Sequence, residues 1–101
     1  MGNVDEFNSE KDDNVVIDLS GIQSRREFHK RIREAIEVPE YYGNNLDSLY
    51  DVLSEAPSGR IIIVKGAAEV DEKMSSYISK FRKLCQDACE ENEGLTVDFM
   101  D

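Results

Sequence analysis

Apolar and polar positions follow two rhythms along this chain, and the places where the rhythm changes mark out six elements. Val15-Val16-Ile17-Asp18-Leu19 is a short β-branched run closed by Ser20-Gly21, the pattern of a buried strand. Phe28, Ile32, Ala35 and Ile36 then recur at helical spacing. Ahead of them Ser24-Arg25-Arg26-Glu27 is a capping-box pattern, with the Ser24 hydroxyl and Glu27 carboxylate positioned to satisfy the first free amides of a helix. Pro39 and Gly43 punctuate a loop, and Asn44 or Asn45 supplies the next helix cap. A short helix of about ten residues should follow, with Leu46, Leu49, Tyr50 and Leu53 as its packing stripe. Ala56-Pro57-Ser58-Gly59 turns the chain into Arg60-Ile61-Ile62-Ile63-Val64-Lys65, a strand whose unbroken apolar centre predicts helices over both faces of its sheet. A long helix starts near Val70 or Asp71 and packs through Met74, Tyr77, Ile78, Phe81, Leu84, Cys85 and Ala88. Asn92-Glu93-Gly94 stops it, and Leu95 to Met100 forms a third strand.

The order strand, helix, short helix, strand, helix, strand leaves crossovers long enough for parallel pairing. It predicts a small single α/β domain over residues 14–101, a three-stranded parallel sheet packed by helices. Residues 1–13 hold five acids, with Val4 and Phe7 as the only sizeable apolar residues after the initiator, and predict a flexible acidic N-terminal tail. That segment has neither the basic nor the apolar region of a signal peptide, and no run approaches the roughly 18 apolar residues of a membrane helix. A soluble, cytoplasmic protein with no membrane association is expected.

Charge changes this picture in one place. The net charge is −10, and no Lys or Arg occurs from Glu34 to Gly59, where six acids fall. Three of them, Asp47, Asp51 and Glu55, recur at i, i+4 and i+8 on a face of the short helix away from its apolar stripe. Like charges at that spacing destabilise a helix by roughly 0.2–0.5 kcal/mol per pair. Two tyrosines expected at the surface, Tyr41 and Tyr42, lie beside them. The row is either a solvated acidic face or a surface built to meet a cationic partner, where the repulsion is relieved on binding.

Other chemistry is poorly represented. Arg25, Arg26, Lys30, Arg31 and Arg33 make the first helix basic, but the acids around them argue for internal balance rather than nucleic-acid binding. His29 is the only histidine, expected at the surface or half-buried. Cys85 and Cys89 lack the further ligands of a metal site and are expected as reduced, partly buried thiols. Carboxylate catalysis needs two groups facing across a cleft, and a calcium ion needs more oxygens than one exposed helix face presents. No catalytic residue, metal or cofactor is expected, and an enzyme is a poor reading.

The segment Val38-Pro39-Glu40-Tyr41-Tyr42-Gly43-Asn44-Asn45-Leu46-Asp47-Ser48-Leu49-Tyr50-Asp51-Val52-Leu53 resembles the signature of the barstar family, intracellular bacterial inhibitors of a secreted ribonuclease. The rest of the chain from about Asn14 to Met100 is similar in element order. The resemblance implies a barstar-like fold and one-to-one occlusion of a secreted bacterial ribonuclease, barnase-like or of another guanyl-specific type. By position, Asp51 resembles the family's principal aspartate and Asp47 the neighbouring acid. Tyr41 resembles the aromatic that packs on the catalytic histidine. Gly43 and Asn45 resemble loop contacts, Ser48 a small contact residue, and Tyr50 replaces a tryptophan beside the anchor. Asp87 resembles a second acid on the last helix, where Lys83 stands in place of another, and Ala56-Pro57-Ser58-Gly59 lacks the family's tryptophan. The alternative is an acidic interaction module or adaptor of the same fold with no ribonuclease target.

Overall fold

The structure is a computed structural model that describes residues 14–100, so the acidic tail expected over residues 1–13 lies outside the described residues. Strand β1 (Asn14–Asp18) leads to helices α1 (Arg25–Ala35) and α2 (Leu46–Ser54), then β2 (Arg60–Lys65), helix α3 (Ser75–Glu91) and β3 (Leu95–Met100). The strands are parallel, in the order β1-β2-β3. The register stacks Val15 beside Ile62 and Val97, and Ile17 beside Val64 and Phe99. These residues face the helices, and Ile17, Ile62, Val64 and Leu95 are buried there with Phe28, Ile32, Leu49, Leu53, Ile78 and Phe81.

The expectation of a sheet covered on both faces is corrected. Residues of the opposite parity stay in contact with solvent: Val16 is 52% exposed, Ile61 37% and Met100 62%. β-branched side chains suit a pleated surface whether or not something covers it, so an apolar run alone does not distinguish one covered face from two.

Helix α1 begins as the capping pattern predicts. Ser24 Oγ accepts from Glu27 N at 3.1 Å, and the Glu27 carboxylate reaches back to Gln23 N at 2.6 Å. The start of α3 is displaced from Val70 or Asp71 to Ser75. Two single turns of 3-10 helix, Ala67–Glu69 and Glu72–Met74, intervene, and the Asp71 side chain caps the second by accepting from Lys73 N at 3.0 Å. A side chain that competes for backbone amides resets the helix start.

Two expectations are corrected: His29, expected at the surface or half-buried, and Tyr42, expected at the surface, both lie in the core, at 2% and 4% exposure. His29 Nδ1 lies 2.6 Å from Tyr42 Oη and Nε2 2.7 Å from Tyr77 Oη. A neutral imidazole has one N–H and one acceptor nitrogen, so one phenol donates to the ring and the other accepts from it. Both ring nitrogens are satisfied, which is the condition for burying them.

Burial, reinforced by the Arg33 charge, pulls the His29 imidazole from its ordinary 6.5 down to about 4. The unfolded chain therefore takes up a proton before the folded one does. Stability rises with pH between those two values, and the contribution of the neutral ring is lost as pH falls through them. Urea unfolding should show a loss of about 2 kcal/mol between about pH 7 and pH 5, above the range in which carboxylates dominate. His29→Gln should flatten that slope; an unchanged slope would mean that another group carries it.

Candidate functional site

The segment between α1 and α2 is fixed from below before it presents anything to solvent. Tyr42 N donates to Pro39 O at 3.0 Å, which closes a turn and drives the Tyr42 ring into the core. Arg33 of α1 donates to Asn44 Oδ1 at 2.8 Å and to Tyr42 O at 3.4 Å, and its guanidinium lies 5.2 Å from the centre of the Tyr42 ring. Asn44 adopts φ 55°, a left-handed conformation that Asn tolerates better than most residues.

Asn45, not Asn44, is the helix cap: its Oδ1 accepts from Ser48 N at 2.8 Å. Its Nδ2 donates to Gly43 O at 3.3 Å, and Gly43 N donates to Ser48 Oγ at 3.2 Å. Gly43, Asn45 and Ser48 thus form one hydrogen-bonded knot. A Cβ at Gly43 would come within 3.0 Å of Asn45 Nδ2 and 3.2 Å of Ser48 Oγ, so any side chain there would press on the cap.

Helix α2 then divides cleanly. Leu49 and Leu53 are buried, whereas Asp47, Asp51 and Glu55, the last at the C-cap, are exposed. The first-turn position of Asp47 suits the positive end of the helix dipole. Asp51 sits in the second half, where the dipole opposes it, and the last turn has no basic residue.

Packing of α2 on α3 brings in Asp87. Leu46, Asp47, Tyr50, Lys80, Lys83, Leu84 and Asp87 line a shallow groove of about 250 Å³. Asp87 Oδ1 pairs with Lys83 Nζ at 3.1 Å. The Tyr50 phenol is held above its ordinary range first by its partial burial, then by the negative charges of Glu91, Asp87, Asp51 and Glu90. Glu90 and Glu91 were absent from the expected site; their place three and four residues beyond Asp87 was the available signal. Tyr41, 71% exposed, stands apart from both groups, in a cavity that it lines with Val52 and Glu55.

The basic residues of α1 are largely engaged internally. Arg31 donates to Asp18 O and Ser20 O, and Arg25 stacks on the Tyr77 ring at 4.6 Å. Cys85 and Cys89 are free thiols, one buried and one half-buried. Burial pushes Cys85 up to about 12 and raises Cys89 as well, which suppresses thiolate reactivity. Among the described residues no group of three or more His, Cys, Asp or Glu is arranged around a common metal position, and no helix is long and apolar enough to cross a membrane. Chemically, the arrangement presents exposed carboxylates on one face of a core-anchored helix, beside a shallow groove.

A family model described as Barstar (barnase inhibitor) matches residues 13–100. A protein of Bacillus subtilis (strain 168) named "Putative ribonuclease inhibitor YrdF" is 26% identical over 80 residues, which cover 76% of this chain and 86% of that protein.

The exposed acids of α2 are a liability to the isolated chain. Asp51→Lys removes two like-charge pairs, with Asp47 and Glu55, and complements the dipole. It should raise thermal stability by about 0.5–1 kcal/mol; a lower unfolding temperature would show that Asp51 supports the fold.

Proposed function

Because this chain belongs to the barstar family, we propose that it inhibits a ribonuclease by covering the enzyme's cationic active site with α2 and the loop before it. The observation that carries this reading is the exposed pair Asp47 and Asp51 on a helix whose other face is anchored in the core. A ribonuclease needs Arg, Lys and His around its scissile phosphate to hold the oxygens and stabilise the charge of transesterification. Carboxylates offered to those cations take the place of the phosphates, and charge complementarity speeds the encounter.

In this reading Asp51 is the anchor inserted among the catalytic cations, with Asp47 pairing with neighbouring bases. Tyr41 packs on the catalytic histidine. Gly43, Asn45 and Ser48 give a loop whose shape is set before the partner arrives, which lowers the ordering cost of binding. Tyr50 flanks the anchor, and Asp87 extends the negative field onto α3. The target is a secreted bacterial ribonuclease of the barnase or another guanyl-specific type, bound one to one in the cytoplasm, and no step requires a cofactor or metal. Lys83 is 70% exposed beside Asp87, so the cognate enzyme carries an acid opposite it.

RNA cleavage by a panel of secreted guanyl-specific ribonucleases should be inhibited saturably at one-to-one stoichiometry, and less so as salt is raised. Asp51→Ala should weaken inhibition by about 100-fold or more, a magnitude carried over from hot-spot residues, for which barstar's own aspartate is the standard case. No inhibition by folded protein across the panel would sink the reading in favour of an adaptor for another basic partner. Lys83→Glu should weaken binding about 5–10-fold; tighter binding would remove the opposing acid from the account.

A further inference from the structure

Two cations of α1 are left over by the internal contacts. Arg25, Arg31 and Arg33 are engaged with the Tyr77 ring, with Asp18 and Ser20, and with Asn44 and Tyr42, whereas among the described residues neither Arg26 nor Lys30 makes a hydrogen bond, an ion pair or a ring contact. Both are exposed. Arg26 moreover stands in the first turn of α1, where the helix dipole disfavours a cation. The acids of the same helix are directed elsewhere: the Glu27 carboxylate accepts from Gln23 N, and Glu34 lines a different cavity with Arg31 and Asp18. Arg26 and Lys30 instead come together with Arg33 and Asn44 around a pocket of about 220 Å³. His29 completes its wall, but both ring nitrogens are taken by Tyr42 and Tyr77. Asn44 Oδ1 is likewise taken, by Arg33. The polar groups left to meet an occupant are therefore donors, two of them unpaired cations, and among the described residues no acid lines the pocket.

We propose that this pocket is a second point of recognition for the partner ribonuclease, receiving an Asp or Glu side chain that the enzyme carries at the rim of its cationic active site. Three features select this occupant. Donors without acceptors call for an anion, and long basic side chains wall the pocket with aliphatic stem as well as charge, which suits a carboxylate on a short methylene stalk. A net charge of −10 opposes a polyanion such as RNA. Exposed cations on flexible stems hold a free anion weakly, so the anion must be delivered by a partner already docked alongside. The pocket meets that condition through Asn44, which lines it and lies between Gly43 and Asn45 of the contact loop; a carboxylate on an enzyme seated there arrives at high effective concentration. The inference rests on the ribonuclease reading and deepens it. An acidic row attracts any basic enzyme, whereas an acidic row bordered by a cationic pocket also fixes which way round the enzyme binds and rejects one without the matching acid.

The test is the dissociation constant and association rate, at low and high salt, for every panel ribonuclease that binds the wild-type protein, with Arg26→Glu, Lys30→Gln and, in parallel, Asp51→Ala. The sign of the effect decides. Arg26→Glu makes the protein more acidic, so an enzyme surface that is cationic throughout would bind it faster and more tightly. With an acid seated in the pocket, Arg26→Glu should instead weaken binding of the cognate enzyme about 5-fold or more and slow association at low salt. Lys30→Gln should weaken it about 2–3-fold. Arg26→Glu should unfold at an equal or higher temperature, because it suits the first turn of the helix, so weaker binding would not reflect a damaged fold; if it unfolds lower, the uncharged Lys30→Gln decides. If Asp51→Ala weakens binding to every enzyme while Arg26→Glu and Lys30→Gln match or exceed wild type, the pocket is a solvated cluster only and this inference alone is overturned. If the wild-type protein binds none of the enzymes, both readings fall.

Discussion

A neutral imidazole held between two phenols ties together the three segments on which the acidic face depends. His29 belongs to α1, Tyr42 to the loop ahead of α2, and Tyr77 to α3, and the two hydrogen bonds that join them are 2.6 and 2.7 Å long. Tyr42 is followed directly by Gly43, so the depth at which that ring is buried sets where the Gly43, Asn45 and Ser48 knot lies. The knot places the cap, and the cap places the first turn of α2. The direction in which Asp47 and Asp51 point is therefore decided by a contact in the core. Interior polar groups of this kind are demanding, because losing one partner leaves the other unsatisfied.

Magnitudes explain how the helix tolerates its own charge. Burying Leu49 and Leu53 completely is worth about 1.5–3 kcal/mol for each side chain. The repulsion along the exposed face costs roughly 0.2–0.5 kcal/mol per pair. The packing term wins by several-fold, so α2 stands although its outer face is unsuited to the free protein. The arginines of α1 do not neutralise that face: Arg25, Arg31 and Arg33 are occupied with Tyr77, Asp18, Ser20, Asn44 and Tyr42, and the nearest lysines, Lys80 and Lys83, lie across the groove on α3.

Features set by near neighbours were legible in the chain, and features set by distant ones were not. The Ser24 and Glu27 cap, the position of α2 and the spans of β2 and β3 rest on residues within a few places of one another, and they stand where the pattern put them. His29 and Tyr42 look like surface residues because their partners lie 13 and 48 positions from His29. Arg60 is only the charged end of an apolar run in the sequence, and the register puts it beside the buried Leu95. The contribution of Glu90 and Glu91 to the field around Tyr50 exists only once α3 lies against α2. Within the candidate site, the loop and helix residues were readable as a contiguous motif, whereas the place of Asp87 in a groove with Asp47 and Tyr50, and the cavity beside Tyr41, needed the packed molecule.

On α2 the fully buried and the fully exposed residues are different ones: Leu49 and Leu53 serve the interior, Asp47 and Asp51 the exterior, and Tyr50 lies between them. A substitution at Asp47 or Asp51 therefore leaves the leucine packing untouched, so the proposed recognition face can vary in single steps, each intermediate remaining folded. The separation of tasks on one nine-residue helix makes this small protein evolvable.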